Sequence, residues 1–323
     1  MTATARVDGT VSAATKSDER AAPLGVSRAA LWLVGLIVVL TLPAAGIGLF
    51  WTDDGQPYEF TTLRDETAEI YGRGLYRHDT VFAAAGYRAV DATLLFAGLP
   101  ALVVCALLYR RGSLRAGLLL SGVLAYFLYA YLSYAVGAAF NGLFLAYVAL
   151  FSASFFALTL VFTSIDLRAL PAATLESLPR RGPGLFMLAA GGITSVVWLA
   201  PLLAAMLDGR PPDLLDSYTT MVTDALDLGL ITPAALLAGV LMLRRDPLGY
   251  RIAFPLLGII LLLVPQIVLG TLFQRDAGVG FTAGEAIGPI SGFVVLGLLA
   301  AWVTVAILRR LPGAAGPARR AID

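Results

Sequence analysis

Asp91, Asp224 and Asp227 are the carboxylates closest to long apolar runs, and a carboxylate placed there can bind a cation or carry a proton. Each also lies near the start of its run, where a plainer role is available. In the first turn of a helix a carboxylate bonds free backbone N–H groups and meets the positive end of the dipole. Asp224 and Asp227 stand three residues apart, so both can share one helix face. Gln266 is deeper, midway along an apolar run and directly after Pro265, which frees a backbone carbonyl. Its amide either bonds a neighbouring helix or lines a hydrated path. Tyr126 and Tyr129 share a face with Ser133, and Tyr126 is too deep for the interface, so its hydroxyl needs an internal partner. Tyr131 and Tyr134 suit an interfacial aromatic belt, and Asn141 closes the same run. Asp91, Asp227, Asp224, Gln266, Tyr126, Tyr129 and Asn141 are therefore the candidate binding residues, for a small solute or a cation. Asp91 and Asp227 are expected to face each other at an outer mouth.

Familiar catalytic chemistry finds little support. His78 is the single histidine and Cys105 the single cysteine, which gives no metal-ligand spacing and no disulfide within the chain. His78 and Asp79, in the segment YGRGLYRHD, are the pair at interface depth that an enzyme acting on a lipid or quinone would use. There is no phosphate-binding glycine loop, dinucleotide fingerprint, HExxH or GxSxG in the sequence. No catalytic residue, metal or cofactor is assigned. A net charge of +1 argues against nucleic acid as a partner, because phosphate needs a basic face.

The elements that must position these residues are membrane spans. Hydrophobic residues make up 58% and charged residues 14% of the chain, against roughly a quarter charged in a soluble domain. Apolar runs near 28–50, 90–109, 116–137, 142–163, 184–206, 224–243, 252–272 and 287–308 are each long enough to cross a bilayer. The expected fold is an all-α polytopic transmembrane helix bundle. Arginines crowd alternate connectors: Arg110, Arg111 and Arg115; Arg168, Arg180 and Arg181; Arg244, Arg245 and Arg251. With Arg6, Lys16, Arg20, Arg28, Arg309, Arg310, Arg319 and Arg320 in the tails, one side holds most of the positive charge. That side reads as the cytoplasm, with both termini on it and the protein in the cell membrane. Ala44 and Ala45 give the first run the small residues of a cleavage site, but the run continues to Trp51 and is read as a span.

The spans divide as a parallel 4+4 internal repeat. Asp91, Pro100 and Arg110-Arg111 recur as Asp227, Pro233 and Arg244-Arg245; Gly122 recurs as Gly258, and Gly137-x-x-Phe140-Asn141 as Gly270-x-x-Phe273-Gln274. The expected layout is a disordered cytoplasmic tail over 1–27 and a first half over 28–168 with an outer loop at 51–89. A linker over 169–183, a second half over 184–310 and a tail over 311–323 complete it. The outer loop is expected to be a lid or to form a short interfacial helix. Gly284, Gly288 and Gly292, and likewise Ala149, Ala153 and Ala157, form small-residue stripes suited to close helix packing, the glycines to a homo- or hetero-oligomer. Parallel repeats and the proline-bearing spans (Pro100, Pro201, Pro233, Pro255, Pro265) favour a small-solute or ion-coupled secondary transporter. A membrane sensor or a subunit of a membrane complex is the alternative, and an intramembrane enzyme a third.

Overall fold

The structure is a computed structural model that describes residues 22–312. Most of both terminal tails, with Arg6, Lys16, Arg20, Arg319 and Arg320, lies outside the described residues. The helices are α1 (Arg28–Phe50), α2 (Val81–Arg110), α3 (Leu114–Gly137), α4 (Phe144–Thr163), a short α5 (Ala172–Ser177), α6 (Arg181–Leu207), α7 (Val222–Leu243), α8 (Pro247–Asp276) and α9 (Ala283–Leu308). All but α5 are long and apolar enough to cross a membrane, eight among the described residues. Trp32, Leu145, Ile193, Leu298 and Trp302 are among the many large apolar side chains left exposed, an apolar surface suited to lipid and not to water. This is a multi-pass integral membrane protein.

Polar caps set where the spans begin. Ser27, Thr80, Ser113 and Asp246 each accept a backbone N–H of the first turn of α1, α2, α3 and α8 respectively. Alternating directions bring Arg110, Arg111, Arg168, Arg181, Arg244, Arg245, Arg309 and Arg310 to one end of the bundle. We call this the arginine-rich end and the opposite one the far end. At the arginine-rich end Arg115 donates to the Leu311 carbonyl and Arg251 to that of Ile165 (2.8 Å), which ties the connectors together.

Within each set of four spans the helices pack in the same order. In the first, α1 and α3 each pack on both α2 and α4; in the second, α6 and α8 each pack on both α7 and α9. The sets join where α8 lies against α2 and α3. At the centre of that join Gly122 of α3 meets Gly258 of α8, so closely that a Cβ on Gly258 would stand 2.3 Å from the Gly122 Cα. These are the two glycines that the expected repeat pairs with each other.

Two local features recur. Residues Leu94–Gly98 of α2 and Asp227–Ile231 of α7 are π-helical turns, each ending two residues before a proline, Pro100 or Pro233. Proline lacks an N–H and crowds the carbonyl four residues back, and one extra residue in the turn relieves both problems.

The elements depart from the sequence reading in several places. The second span starts at Val81, not near 90, because Thr80 caps it and the Ala-rich stretch after it is helical. The far-end loop therefore covers 51–80. It forms an antiparallel hairpin, Tyr58–Thr61 (β1) with Thr67–Ile70 (β2), in place of an interfacial helix. Its return path needs Gly72 at φ 74°, where a Cβ would lie 1.9 Å from the Gln56 carbonyl oxygen. Finally, the glycine stripe Gly284, Gly288 and Gly292 is exposed, and among the described residues nothing lies within 4 Å of a Cβ added there, so it makes no close packing within the described chain. Of the alanine stripe, Ala153 and Ala157 are buried and Ala149 is exposed.

Candidate functional site: a polar seam along α3

Helix α3 is the most enclosed span, and its tyrosines point inward on several sides. Tyr131 and Tyr134 are not belt anchors, since both are buried; the helix is surrounded, so it has no lipid-facing stripe near them. The Tyr131 hydroxyl donates to Thr41 Oγ1 of α1 (3.0 Å). The Tyr134 hydroxyl lies 2.8 Å from the Tyr87 carbonyl and 3.1 Å from Asp91 Oδ1.

Asp91 occurs in the third turn of α2 and caps nothing. It is 1% exposed, with Oδ2 accepting from the Tyr76 hydroxyl (2.6 Å) of the far-end loop. Gly48 of α1 forms the wall behind it, where a Cβ would fall 2.0 Å from Oδ2. Among the described contacts no cation pairs directly with Asp91: Arg88, one turn back, reaches the Tyr71 hydroxyl (3.2 Å) and the Leu49 carbonyl (3.4 Å). Tyr134 has one proton for two acceptors. If Asp91 is ionised, that proton goes to Oδ1. If Asp91 carries the proton, Asp91 donates to Tyr134 and Tyr134 serves the Tyr87 carbonyl. A change in the charge of Asp91 thus reverses a hydrogen bond on α3.

Asp227 opens the π turn of α7. Its Oδ1 accepts from the Tyr129 hydroxyl (3.1 Å) and its Oδ2 from the Trp198 indole N–H (2.9 Å) of α6. Asp91 and Asp227 share no partner among the described residues, so the expected face-to-face pair is replaced by two separate sites, one in each set of spans. Asp224 occupies the first turn of α7 and is buried. Tyr126, fully buried, donates to Gln266 Oε1 (2.8 Å), so the two deepest polar candidates meet across the join. Asn141 is elsewhere. Its Oδ1 accepts the Leu143 N–H (3.0 Å) and its amide donates to the Ala139 carbonyl (3.3 Å), which shapes the turn between α3 and α4.

One helix therefore supplies the hydroxyl partner of Asp91 (Tyr134), of Asp227 (Tyr129) and of Gln266 (Tyr126). Compared with protein-family models, curated proteins and solved structures, the chain matches none. Function has to be read from this geometry alone.

Sequence reasoning missed Trp198, Thr41 and Tyr76. An indole in mid-span and a threonine in an apolar run each need a partner, which was a usable signal for the first two. Tyr76 had none, because its loop folds back onto α2 over a distance that no local pattern encodes.

Two open clefts lie at the far end, and His78 borders both. One, about 430 Å³, runs between the hairpin (Tyr58, Phe60), the end of α3 and Ser217–Thr220. The other is lined by Trp51, Arg77, Phe140 and Asn141. His78 is exposed, and among the described residues no hydrogen bond joins it to Asp79, whose carboxylate turns inward. Among the described residues no group of three or more His, Cys, Asp or Glu side chains is placed to hold a metal ion.

Proposed function

We propose that the protein is a secondary transporter of a small polar solute or a cation in the cell membrane, with both termini cytoplasmic and its far end outside. The observation that carries this reading is the single helix α3 linking Asp91 in one set of spans to Asp227 and Gln266 in the other. Within the wide packing of α8 on α2 and α3, the two sets touch through bare backbone at Gly122 and Gly258, and this closest approach is the pivot on which they would rock. Rocking would exchange the partners of Tyr129 and Tyr126 while Tyr134 stays with its own set. That ties carboxylate occupancy to the relative position of the halves, the requirement for coupled transport. The arginine bias supports that orientation.

The test is flux. Protein reconstituted in liposomes loaded with the pH dye pyranine is given a pH gradient and then a panel of amines, carboxylates, sugars and sodium. At least one solute is expected to dissipate the gradient, and Asp91→Asn or Asp227→Asn to abolish that while the chain remains folded. Undiminished flux in both variants refutes the carboxylate mechanism.

A second reading, a subunit of a membrane complex, is favoured by one observation. On the outer part of α6, Val196, Val197, Leu199, Leu203, Met206 and Leu207 are all exposed, and the glycine face of α9 is exposed too. Absence of flux for every solute, with a partner copurifying in mild detergent, would establish that reading instead.

A further inference from the structure

Asp79 lies just ahead of α2, outside the spans, and its carboxyl is buried where two far-end loops meet. Its Oδ1 accepts the Ala139 N–H (2.8 Å) at the end of α3 and the Tyr218 hydroxyl (2.8 Å) from the loop between α6 and α7. Its Oδ2 is buried with no hydrogen-bond partner. A carboxylate left this way keeps a bare charge out of water, whereas the neutral acid does not. The groups facing it give no compensation. They are Tyr87 from α2, Tyr147 from α4 and Tyr218, all phenols. The neighbouring Arg77 is engaged with Asp53 and stacks over Trp51, and Arg88 is held by Tyr71 and Leu49. His78 turns out to the clefts.

The same loop is tied a second time. Arg64, in the hairpin turn, donates to the Tyr218 carbonyl (3.2 Å) and to that of Asp216. Asp216 itself is at φ 51°, a conformation that a residue with a side chain adopts only when held. The loop is thus clamped by the first set of spans against local strain, and beside the clamp lies the cleft between Tyr58, Phe60 and Ser217–Thr220.

We propose that Asp79 is a proton-binding site that latches the far-end loops of the two halves together, the bound proton holding the Tyr218 loop in place and its loss releasing that loop. Burial pushes the Asp79 carboxyl up to about 6. The sign follows from linkage: a group whose acid constant is raised in the closed state favours that state at low pH and works against it as pH rises through the raised value. The latch therefore closes in acid and loosens above about pH 6. The inference needs only the two loops to be tied and holds whether or not the protein transports anything.

Spin labels placed at Leu63→Cys in the hairpin turn and Leu214→Cys in the second loop, in a Cys105→Ala background, report the separation directly. Both sites are exposed, at 93% and 59%. With the full chain in lipid nanodiscs, pulsed dipolar spectroscopy is expected to give a single short distance at pH 5 and a longer population at pH 8. Asp79→Asn, which mimics the neutral acid, should hold the short distance at both. Identical distributions of the otherwise unaltered chain at pH 5 and 8, or a pH shift that survives Asp79→Asn, overturn the proposal. If Asp79→Asn does not fold, Tyr218→Phe serves: it should show the long distance at both pH values, and an unchanged pH shift there overturns the latch equally. Neither result touches the flux test, whose variants lie on α2 and α7.

Discussion

Replacing Gly258 with alanine tests the join between the two sets of spans. The added Cβ would stand 2.3 Å from the Gly122 Cα and carbonyl carbon and 2.4 Å from its oxygen. These are backbone atoms, which cannot rotate away, so α3 and α8 have to separate by about 1 Å to restore contact distance. Overpacking of this kind costs about 1–3 kcal/mol. The separation also reaches Tyr126 and Gln266, one turn further along α3 and two along α8. Their 2.8 Å hydrogen bond would open beyond bonding range and forfeit about 1 kcal/mol more. Together that is roughly 2–4 kcal/mol, which lowers a thermal midpoint by roughly 5–10 °C in a chain of this size. Differential scanning fluorimetry in mild detergent reads it. Gly35→Ala is the control, since nothing lies within 4 Å of its added methyl. There the helix gains propensity and the midpoint should hold or rise. If Gly258→Ala melts with the parent, the glycine contact is not the join described and the rocking reading loses its pivot.

Three further outcomes are expected. Stability should fall as pH rises from about 4 to 7, because the Asp79 acid constant is raised from 3.8 to about 6 in the folded chain; the full shift is worth at most about 3 kcal/mol, and Asp79→Asn should flatten the profile. Gly48→Ala puts a methyl 2.0 Å from Asp91 Oδ2 and should break the Tyr76 bond, with a loss of about 2–3 kcal/mol read in the same melts; a neutral result would mean that Asp91 is not walled in by α1. A double-mutant cycle of Tyr126→Phe and Gln266→Leu should give a coupling of about 1 kcal/mol, and additivity would show that the pair does not bond.

The spans were legible because an apolar run long enough to cross a bilayer leaves few alternatives, and the arginine clusters fixed which ends lie together. Tyr126 and Gln266 were each legible as a buried polar group in need of a partner, because few partners are available in mid-span, and the structure makes them each other's. The start of α2 was not, because its first turns, with Tyr87 and Arg88, read as loop, which put Asp91 at a helix start and not in its third turn. Tyr131 and Tyr134 were assigned to lipid because sequence gives their depth but not which helix is surrounded. Asp79 resembled six other acidic residues of its loop, and what distinguishes it, a burial imposed by Ala139 and Tyr218, comes from residues 60 and 139 positions away.

The π turns before Pro100 and Pro233 each store one residue more than an α-helix needs. Were such a turn to tighten into ordinary α geometry, everything on one side of it would revolve by about 100° about the helix axis. Asp91 and Asp227 both stand on the side away from the arginines, so each would swing out of its present company of phenols and indole. The chain thus carries, once per half, a built-in length of slack by which an acidic group can be re-aimed through rotation about the helix axis without bending the helix.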